Sequence, residues 1–380
     1  MKKLYLGSVV FLFFLSIFVG FLVSNTKSAA TNGPVAMTYL PEKNETTYYK
    51  DYEVSITLGA IGDILIHDWV YEDAFNGKTY DFNPMFAGVK HILEQPDILL
   101  ANQETILGGV EIGLSSYPTF NSPQEVGDAL IENGVDIVST ANNHSLDRGA
   151  KNLIRSLDYM DKIKLPYVGT YRSFEEQQNL RILEKDGVKV GYLSYTYGTN
   201  GIPVPEGKEY LVNLIDKDKM AEEISRMKEA ADVIVMSIHW GNEYIRFPNN
   251  IQKDLAQFLT DEGVDIIFGH HPHVLQPMEW LYDENQEATL VVYSLGNFLS
   301  GQNTQWRDIG GMATVEVTKK LIGNKTEIEL SNVQFEPTFV KKVDKVRDYE
   351  IIPLKDVSNY HGKSGEVINK EVLDHMLGDL

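Results

Sequence analysis

Side chains that bind metal ions recur directly after short apolar runs of this chain. Carboxylate, carboxamide and neutral imidazole groups together suit divalent cations such as Mn²⁺, Zn²⁺ or Fe²⁺. Two such ions about 4 Å apart can activate a water molecule and hold a phosphoryl oxygen. The sequence therefore predicts a divalent-metal site, with two ions. Its candidate residues are Asp63 and His67; Asn102 and Glu104; Asn142, Asn143 and His144; His239; His270, His271 and His273; and Asn297.

The segment Gly269-His270-His271-Pro272-His273 is the most specific of these motifs. Three histidines around a proline that restricts their backbone have no common structural use, whereas imidazole is the commonest metal ligand. Five of the nine histidines lie in only three such loops, which chance dispersal would not produce; they are His144, His239, His270, His271 and His273.

The weaker motifs also have ordinary structural interpretations. Asp63 could cap a following helix, Glu104 could pair with an arginine, and His239 could be a core histidine. The remaining histidines are expected on solvated or helix faces, and only His67 is near enough to Asp63 to join the site. These four are His67, His91, His361 and His375.

Alternating strands and helices would bring these residues to one edge of a sheet. The spacing of apolar residues predicts strands at 54–61, 97–101, 136–140, 167–169, 189–195, 232–238, 265–268 and 290–293. It predicts helices at 84–94, 123–133, 150–163, 217–230 and 249–262. Since open α/β sheets bind ligands at the carboxyl ends of their strands, the polar motifs fall where a site is expected.

The pattern changes after residue 311. Segments 312–319, 326–330 and 333–340 predict antiparallel strands that complete the domain, and 356–380 predicts a helix or a loose tail. We therefore expect a linker over 31–53, one α/β domain over 54–345 and a C-terminal extension over 346–380.

The first thirty residues predict export. Lys2 and Lys3 precede residues 4–23, which carry no charge, and these 20 residues are long enough to cross a bilayer as a helix. Lysines before the segment would keep the N-terminus inside and send the domain out. Residues 1–30 are thus expected to be a membrane anchor. A signal peptide cleaved near Ser28-Ala29-Ala30 is the alternative, which would give a secreted protein.

Composition excludes several classes of protein. Hydrophobic residues form 43% and charged residues 23% of the 380, which is typical of a folded domain and not of a disordered chain. A net charge of −20 argues against nucleic-acid binding, which needs a basic surface. The absence of cysteine excludes disulfides, thiolate zinc sites and a lipid-attachment cysteine. Neither a glycine-rich phosphate loop nor a Gly-x-Ser-x-Gly elbow is present.

These motifs resemble those of the CapA (PgsA) family of capsule-synthesis proteins, from the poly-γ-glutamate machinery. The resemblance covers about residues 56–311. Besides the motifs already named, it rests on three longer segments: Ala141-Asn142-Asn143-His144, His239-Trp240-Gly241-Asn242-Glu243-Tyr244 and Tyr293-Ser294-Leu295-Gly296-Asn297-Phe298. The family is similar in fold to calcineurin-like metallophosphoesterases. The resemblance therefore implies an α/β (α+β) fold in which two mixed sheets lie between helices, a four-layer αββα sandwich.

The resemblance also implies roles for individual residues. Asp63 would bind one metal, Glu104 would stand at the bridging position, and Asn143 and His144 would act as a ligand and as an acid or phosphate contact. The metal shell would be completed by His239, His271 and His273, with His270 nearby. The chain departs from the phosphoesterase pattern at two points. Asp63-Ile64-Leu65 lacks the histidine of Asp-x-His, and glutamate replaces aspartate at the bridging position.

Three functions follow as hypotheses. The first is a membrane-anchored accessory to the synthesis or export of poly-γ-glutamate or a similar anionic envelope polymer, working with other subunits of that complex. The second is a free-standing extracellular metal-dependent hydrolase of phosphoesters or amide-linked polymers. The third is a binding module that keeps the fold without the chemistry.

Overall fold

Two mixed β-sheets pack face to face in this protein, and helices cover their outer faces. The computed structural model describes residues 51–344, 346–378 and 380. Within them, the first sheet has the order β14 (Arg347–Pro353), β13 (Lys325–Val343), β12 (Ile309–Ile322), β1 (Tyr52–Leu65), β2 (Ile98–Gln103), β3 (Ile137–Ser139) and β4 (Tyr167–Val168), and β11 (Asn297–Ser300) pairs with β1. The second has the order β5 (Arg181–Lys185), β6 (Val188–Thr196), β7 (Val233–His239), β8 (Ile266–His270), β10 (Ala288–Leu295) and β9 (Leu275–Tyr282).

The helices of the described residues lie mainly between strands. They are α1 (Asp68–Ala74), α2 (Asn83–Phe86), α3 (Lys90–Leu93), α4 (Glu125–Glu132), α5 (Gly149–Ile163), α6 (Phe174–Gln178), α7 (Lys217–Lys228), α8 (Asn250–Asp261) and α9 (Gly365–Leu377).

Three apolar layers hold the sheets and helices together. Between the sheets, residues of β1 and β2 pack with residues of β7, β8 and β10. The first sheet and helices α4 and α5 bury a second layer that includes Leu130, Val138 and Leu157. Helices α7 and α8 bury a third against the second sheet, with Ile224 and Leu259 around Met236. Alternate strand residues serve opposite layers because strand side chains point to opposite faces. The predicted four-layer αββα sandwich is confirmed.

Four aspartates fix how the parallel strands align. Each precedes a strand and makes two hydrogen bonds with one residue of the neighbouring strand: its backbone N–H donates to that residue's carbonyl, and its carboxylate accepts that residue's backbone N–H. The pairs are Asp97 with Thr57, Asp136 with Leu99, Asp232 with Lys189, and Asp265 with Ile234. A shift by one residue would turn every side chain of a strand to the wrong face, so these aspartate braces specify the register.

The carboxyl end of β1, which carries Asp63, lies very close to the chain that leaves β10 of the second sheet. A Cβ at Gly62 would lie 2.1 Å from the carbonyl oxygen of Gly296, so only glycine fits there. The next residue, Asp63, donates its backbone N–H to the same oxygen at 2.8 Å. The pairing of β1 with β2 and β11 shifts register around Asp63, and such a bulge re-aims a side chain. Asp63 is thereby held between the two sheets.

Several elements differ from the predicted ones. The predicted helix at 84–94 is divided into α2 and α3, because the chain at Gly88 passes so close to β14 that a Cβ would lie 2.5 Å from the Ile351 carbonyl oxygen. The predicted strands at 326–330 and 333–340 form one strand, β13. Strands β5, β9, β11 and β14 were not expected from the sequence.

The C-terminal residues belong to the same core. Strand β14 pairs with β13 along the edge of the first sheet. Helix α9 buries Ile368, Val372 and Met376 in the layer between the sheets. Residues 346–378, which the sequence predicts as an extension, thus pack onto the domain that precedes them.

The predicted anchor at 1–30 and most of the linker predicted at 31–53 lie outside the described residues. Of the described helices, none has the length and apolar character needed to cross a membrane.

Candidate metal centre

Glu104 is a fully buried carboxylate without a hydrogen bond. It follows β2, and neither of its side-chain oxygens has a hydrogen-bond partner. The nearest imidazole nitrogens are His239 Nε2 at 3.6 Å and His273 Nε2 at 3.7 Å from its Oε1. Burial raises the pKa of Glu104 well above its usual value. Such a group is costly inside a protein unless a cation neutralises it, and its surroundings offer room for one between oxygen and imidazole donors.

His271 and His273 complete a cluster with Glu104. One donor atom from each of these three residues lies within 4.8 Å of the others, a spacing that fits a shared cation. Both histidines have left-handed backbone conformations, with φ of 97° and 56°, which are uncommon for residues other than glycine and concentrate at functional sites. Burial and the nearby His273 lower the pKa of His271 to about 3, so its imidazole is neutral, as metal binding requires.

The tautomer of His273 is set by two oxygens behind it. Its Nδ1 lies 3.0 Å from Asp63 Oδ2 and 3.1 Å from Asn297 Oδ1, so Nδ1 carries the hydrogen and Nε2 faces Glu104. This is the arrangement that orients metal-binding histidines. Burial lowers the pKa of His273, but the Glu104 charge and the Asp63 hydrogen bond outweigh it and raise that pKa to about 9. A proton or a metal ion can supply the positive charge that the two carboxylates stabilise.

Asp63 is buried and ionised. Its Oδ1 accepts a hydrogen bond from Asn102 Nδ2 at 2.8 Å, and His270 Nδ1 lies 3.3 Å from the same oxygen. Burial would raise the pKa of Asp63, but the imidazoles of His270 and His273 hold it well below its usual value. Asp63 therefore keeps a negative charge at the centre of the cluster.

His239 and Asn143 form the other side of the cluster. His239 Nε2 lies 2.9 Å from Asn143 Oδ1, so a nitrogen and an oxygen that can bind metal are adjacent. Burial and the adjacent His271 hold the pKa of His239 well below its usual value, which keeps the ring neutral. The Tyr197 ring stacks on His239 and also contacts His271, with ring centres 6.3 Å and 4.7 Å apart.

His144 is paired with a carboxylate. Its Nδ1 lies 2.7 Å from Asp147 Oδ2, and the same oxygen accepts the backbone N–H of Phe120. The Asp147 contact fixes the ring so that Nε2 remains for another partner, as in the histidine–carboxylate pairs of acid–base catalysts. Asn200 also approaches His144 Nδ1 and accepts a hydrogen bond from Asn143, which joins this pair to the cluster.

The remaining predicted residues have supporting positions. Asn142 uses its amide to accept the His144 backbone N–H and to donate to the Gln103 carbonyl, so it shapes the loop that carries Asn143. Asn102 accepts from the Ser139 hydroxyl while it donates to Asp63. Asn297 donates to the Arg307 carbonyl at 2.7 Å.

His67 occupies a more distant position. It stacks on Trp69 and contacts the edge of Phe120, whose ring in turn contacts His144. Its Nδ1 lies near backbone groups of Leu65 and Gly301. The Phe120 ring thus lies between His67 and His144.

The structure brings together six residues predicted as metal ligands: Asp63, Glu104, Asn143, His239, His271 and His273. Sequence reasoning gave no role to Asp147, Asn200 or Tyr197. Asp147 could have been found from its position three residues after His144, where a carboxylate and an imidazole meet within one turn. Asn200 and Tyr197 lie in a loop after β6 whose path the sequence does not indicate.

Fold and site together define a class: a four-layer αββα protein with a candidate metal centre at the carboxyl ends of its strands. Comparison with known proteins identifies the family. Residues 57–302 match the family described as bacterial capsule synthesis protein PGA_cap, and the chain belongs to that family. The resemblance stated from the sequence motifs is confirmed.

Two relatives have the same identity to this chain. The capsule biosynthesis protein CapA of Bacillus anthracis is 34% identical over 257 residues, 65% of this chain and 60% of that protein. The PGA biosynthesis protein CapA of Bacillus subtilis strain 168 is 34% identical over 278 residues, 70% of this chain and 69% of that protein. The chain thus matches less than two thirds of the length of the first relative.

Solved structures that superpose on this chain have lower sequence identity to it. The calcineurin-like phosphoesterase YfkN of Bacillus subtilis is 19% identical, with a TM-score of 0.46 over 75% of this chain and 91% of that one. The NAD nucleotidase NadN of Haemophilus influenzae is 12% identical, with a TM-score of 0.45 over 85% of this chain and 62% of that one.

Proposed function

We propose that this chain acts in the synthesis or export of an anionic capsule polymer such as poly-γ-glutamate, and that it does so with divalent metal bound at the strand ends. The observation that carries the metal is Glu104, a buried carboxylate with no hydrogen bond and with imidazoles on two sides. The polymer is proposed from the family and from the printed name of the Bacillus subtilis relative.

The donor set suits borderline metals. Glu104, His271 and His273 would hold one ion, and His239 and Asn143 beside them offer donors for a second. Imidazole and carboxylate ligands favour Mn²⁺, Zn²⁺ or Fe²⁺ over Mg²⁺ or Ca²⁺, which prefer oxygen alone. Bound there, the metal would supply Lewis-acid polarisation and would neutralise charge on an anionic substrate.

The other residues of the site would position and transfer protons. Asp63 and Asn297 keep the hydrogen of His273 on Nδ1, so Nε2 keeps its lone pair. Asp147 likewise orients His144 by holding its Nδ1, so that Nε2 remains for proton transfer with a leaving group.

A metal-dependent hydrolase is the second candidate function, and the His144–Asp147 pair is the observation that favours it. A module that only bound polymer would have no need for an oriented imidazole beside a metal centre. Turnover of a generic phosphodiester and of a γ-linked glutamate oligomer by the metal-loaded protein distinguishes the two. Hydrolysis that disappears in His144→Ala while the metal is retained would favour the hydrolase.

We further propose that the domain lies outside the cell on an N-terminal anchor and works with other membrane-bound subunits. Support comes from residues 4–23, which carry no charge, and from Lys2 and Lys3 before them. The intact protein should then remain with membranes after a high-salt wash. Recovery from culture medium of a soluble form that begins near Thr31 would show cleavage instead.

One experiment tests the main proposal. The gene is deleted in its host, and the parent chain or Glu104→Gln is restored while capsule polymer and bound metal are measured. We expect the parent to restore polymer and to hold at least one divalent ion, and the variant to do neither. A parent chain that has never met a chelator and holds no transition metal would refute the metal site. Normal polymer without the gene would refute the role in capsule synthesis.

A further inference from the structure

Two arginines beside the metal centre lie on aromatic rings in a crossed arrangement. The guanidinium carbon of Arg307 is 3.4 Å from the centre of the Tyr244 ring, and that of Arg246 is 3.9 Å from the centre of the Trp306 ring. Two residues of the loop after β7 thus exchange contacts with two adjacent residues of the loop after β11. Stacking on a ring holds a guanidinium in one plane and leaves its N–H edge for hydrogen bonds.

We call these four residues, Tyr244, Arg246, Trp306 and Arg307, the arginine clasp. Its two aromatic residues have uncommon backbone conformations. Tyr244 has φ of 66° and Trp306 has φ of 74°. Left-handed conformations of bulky residues are unfavourable and persist where the surroundings impose them, often at ligand sites. The Tyr244 backbone N–H donates to the Pro272 carbonyl at 2.7 Å, inside the histidine motif, which fixes that loop against the metal centre.

The second loop is tied to the same centre. The Arg307 carbonyl accepts a hydrogen bond from Asn297 Nδ2 at 2.7 Å, and Asn297 Oδ1 contacts His273 Nδ1. The rings of Tyr244 and His273 are 6.1 Å apart. The clasp is therefore adjacent to the metal centre and is positioned by the same residues that orient a proposed ligand.

Neither guanidinium of the clasp forms an ion pair with a described carboxylate. No described carboxylate lies within 4.0 Å of either guanidinium, although the chain carries a net charge of −20 and pairs many other cations. The Nε atom of Arg246 is buried and has no hydrogen-bond partner. Two carboxylates act on this region without pairing with either guanidinium: exposed Glu243 acts on Tyr244 and His273, and Glu371, which is paired with Lys363, acts on Arg246.

We propose that Tyr244, Arg246, Trp306 and Arg307 form a subsite for an oxyanion of the substrate, next to the group that reaches the metal centre. This inference rests on the proposed function. A polymer with repeated negative charges would place one charged group at the metal centre and a neighbouring one at the arginine clasp. A guanidinium edge matches the two oxygens of a carboxylate or phosphate. The ring centres of Tyr244 and His273 are 6.1 Å apart. One extended polyanion could therefore contact both the arginine clasp and the metal centre.

Binding of two short polyanions to the full-length chain in detergent tests the subsite. One probe is a γ-linked glutamate oligomer and the other is inorganic polyphosphate of matched charge. The variants are Arg246→Gln, Arg307→Gln and Arg307→Lys, the last of which keeps the charge but loses the planar stack. Arg347→Gln is the control, because it removes one exposed arginine whose partner is Asp344. Metal content is measured in every variant.

We expect each glutamine variant to weaken binding of the glutamate oligomer by roughly tenfold, the loss of one charge-assisted pair of hydrogen bonds, with metal content unchanged. Arg307→Lys should bind between Arg307→Gln and the parent, and the control should bind like the parent. If the arginine variants bind the oligomer like the parent, the subsite is wrong and the proposed function stands. Arginine-dependent binding of polyphosphate alone would support the subsite and refute the polyglutamate substrate. A parent chain that binds neither probe would refute both.

Discussion

Replacing two histidines of the metal centre should remove bound metal while the fold remains. In the variant with His271→Ala and His273→Ala, two imidazole donors are lost from a cluster whose donor atoms lie within 4.8 Å. Changes behind a ligand weaken metal binding by about 10–100-fold, and loss of a ligand itself should cost at least as much. The double variant should therefore bind more weakly by roughly 10²–10⁴-fold, or about 3–5 kcal/mol.

The fold should survive this change for two structural reasons. Neither histidine contributes to the three apolar layers. Alanine is less common than histidine at positive φ, so each substitution adds some backbone strain, but this cost falls on a loop and leaves the large core intact. The free energy of unfolding should fall mainly by the amount that bound metal adds to it in the parent when the site is saturated.

Competition with a chromophoric chelator measures the affinity, and thermal unfolding with and without chelator measures the fold. His91→Ala on the exposed side of α3 is the control and should bind metal like the parent. An affinity within tenfold of the parent in the double variant would show that the two histidines are structural and that the ligand set is wrong. Unfolding of the double variant in excess chelator, where the parent stays folded, would show that the residues act in the core.

The remaining predictions concern stability. Burial raises the pKa of Asp265 to about 6. Its carboxylate therefore costs stability above pH 6, and this cost disappears below about pH 4. Asp265→Asn should raise the free energy of unfolding at pH 7 by about 1–3 kcal/mol and leave it unchanged at pH 3.5, in denaturant titrations. A gain equal at both pH values would contradict this cause. Asp232→Asn should have the opposite sign at pH 7, a loss of about 1–2 kcal/mol, because Asp232 is paired with Lys319 at 2.7 Å. Gly269→Ala should lower the melting temperature and cost about 1–3 kcal/mol, since its Cβ would lie 2.1 Å from the Tyr293 carbonyl oxygen. Unchanged melting would mean that the two strands separate freely there.

The strands that carry the site could be predicted because local sequence determines them. Apolar runs at 136–140, 232–238 and 265–268 each begin with aspartate and match β3, β7 and β8 to within one or two residues. Strand β11 could not be predicted, since its four residues pair with the distant strand β1 across a register shift at Asp63. Long-range pairing of this kind leaves no local periodicity.

The site was predictable in its residue types and less so in its connections. The histidine motif after a strand could be interpreted as a metal site from the sequence, because such a motif has few structural roles. That His273 receives its orientation from Asp63 and Asn297 depends on three separate loops meeting. The crossed contacts of Tyr244 and Arg307 depend on the same meeting, and single arginines and tyrosines in a sequence are too common to indicate it.

The aspartate braces lie at the opposite ends of the strands from the metal centre. They align β1, β2 and β3, and also β6, β7 and β8, by bonds that involve no metal. Strand alignment thus rests on bonds that need no ion, and it brings the loops with the donor atoms to one edge of the sheets. We therefore expect the chain to fold first and to acquire its ions afterwards, from whatever supply surrounds it. Loss of an ion would likewise leave a receptive site and would require no refolding before the next one binds.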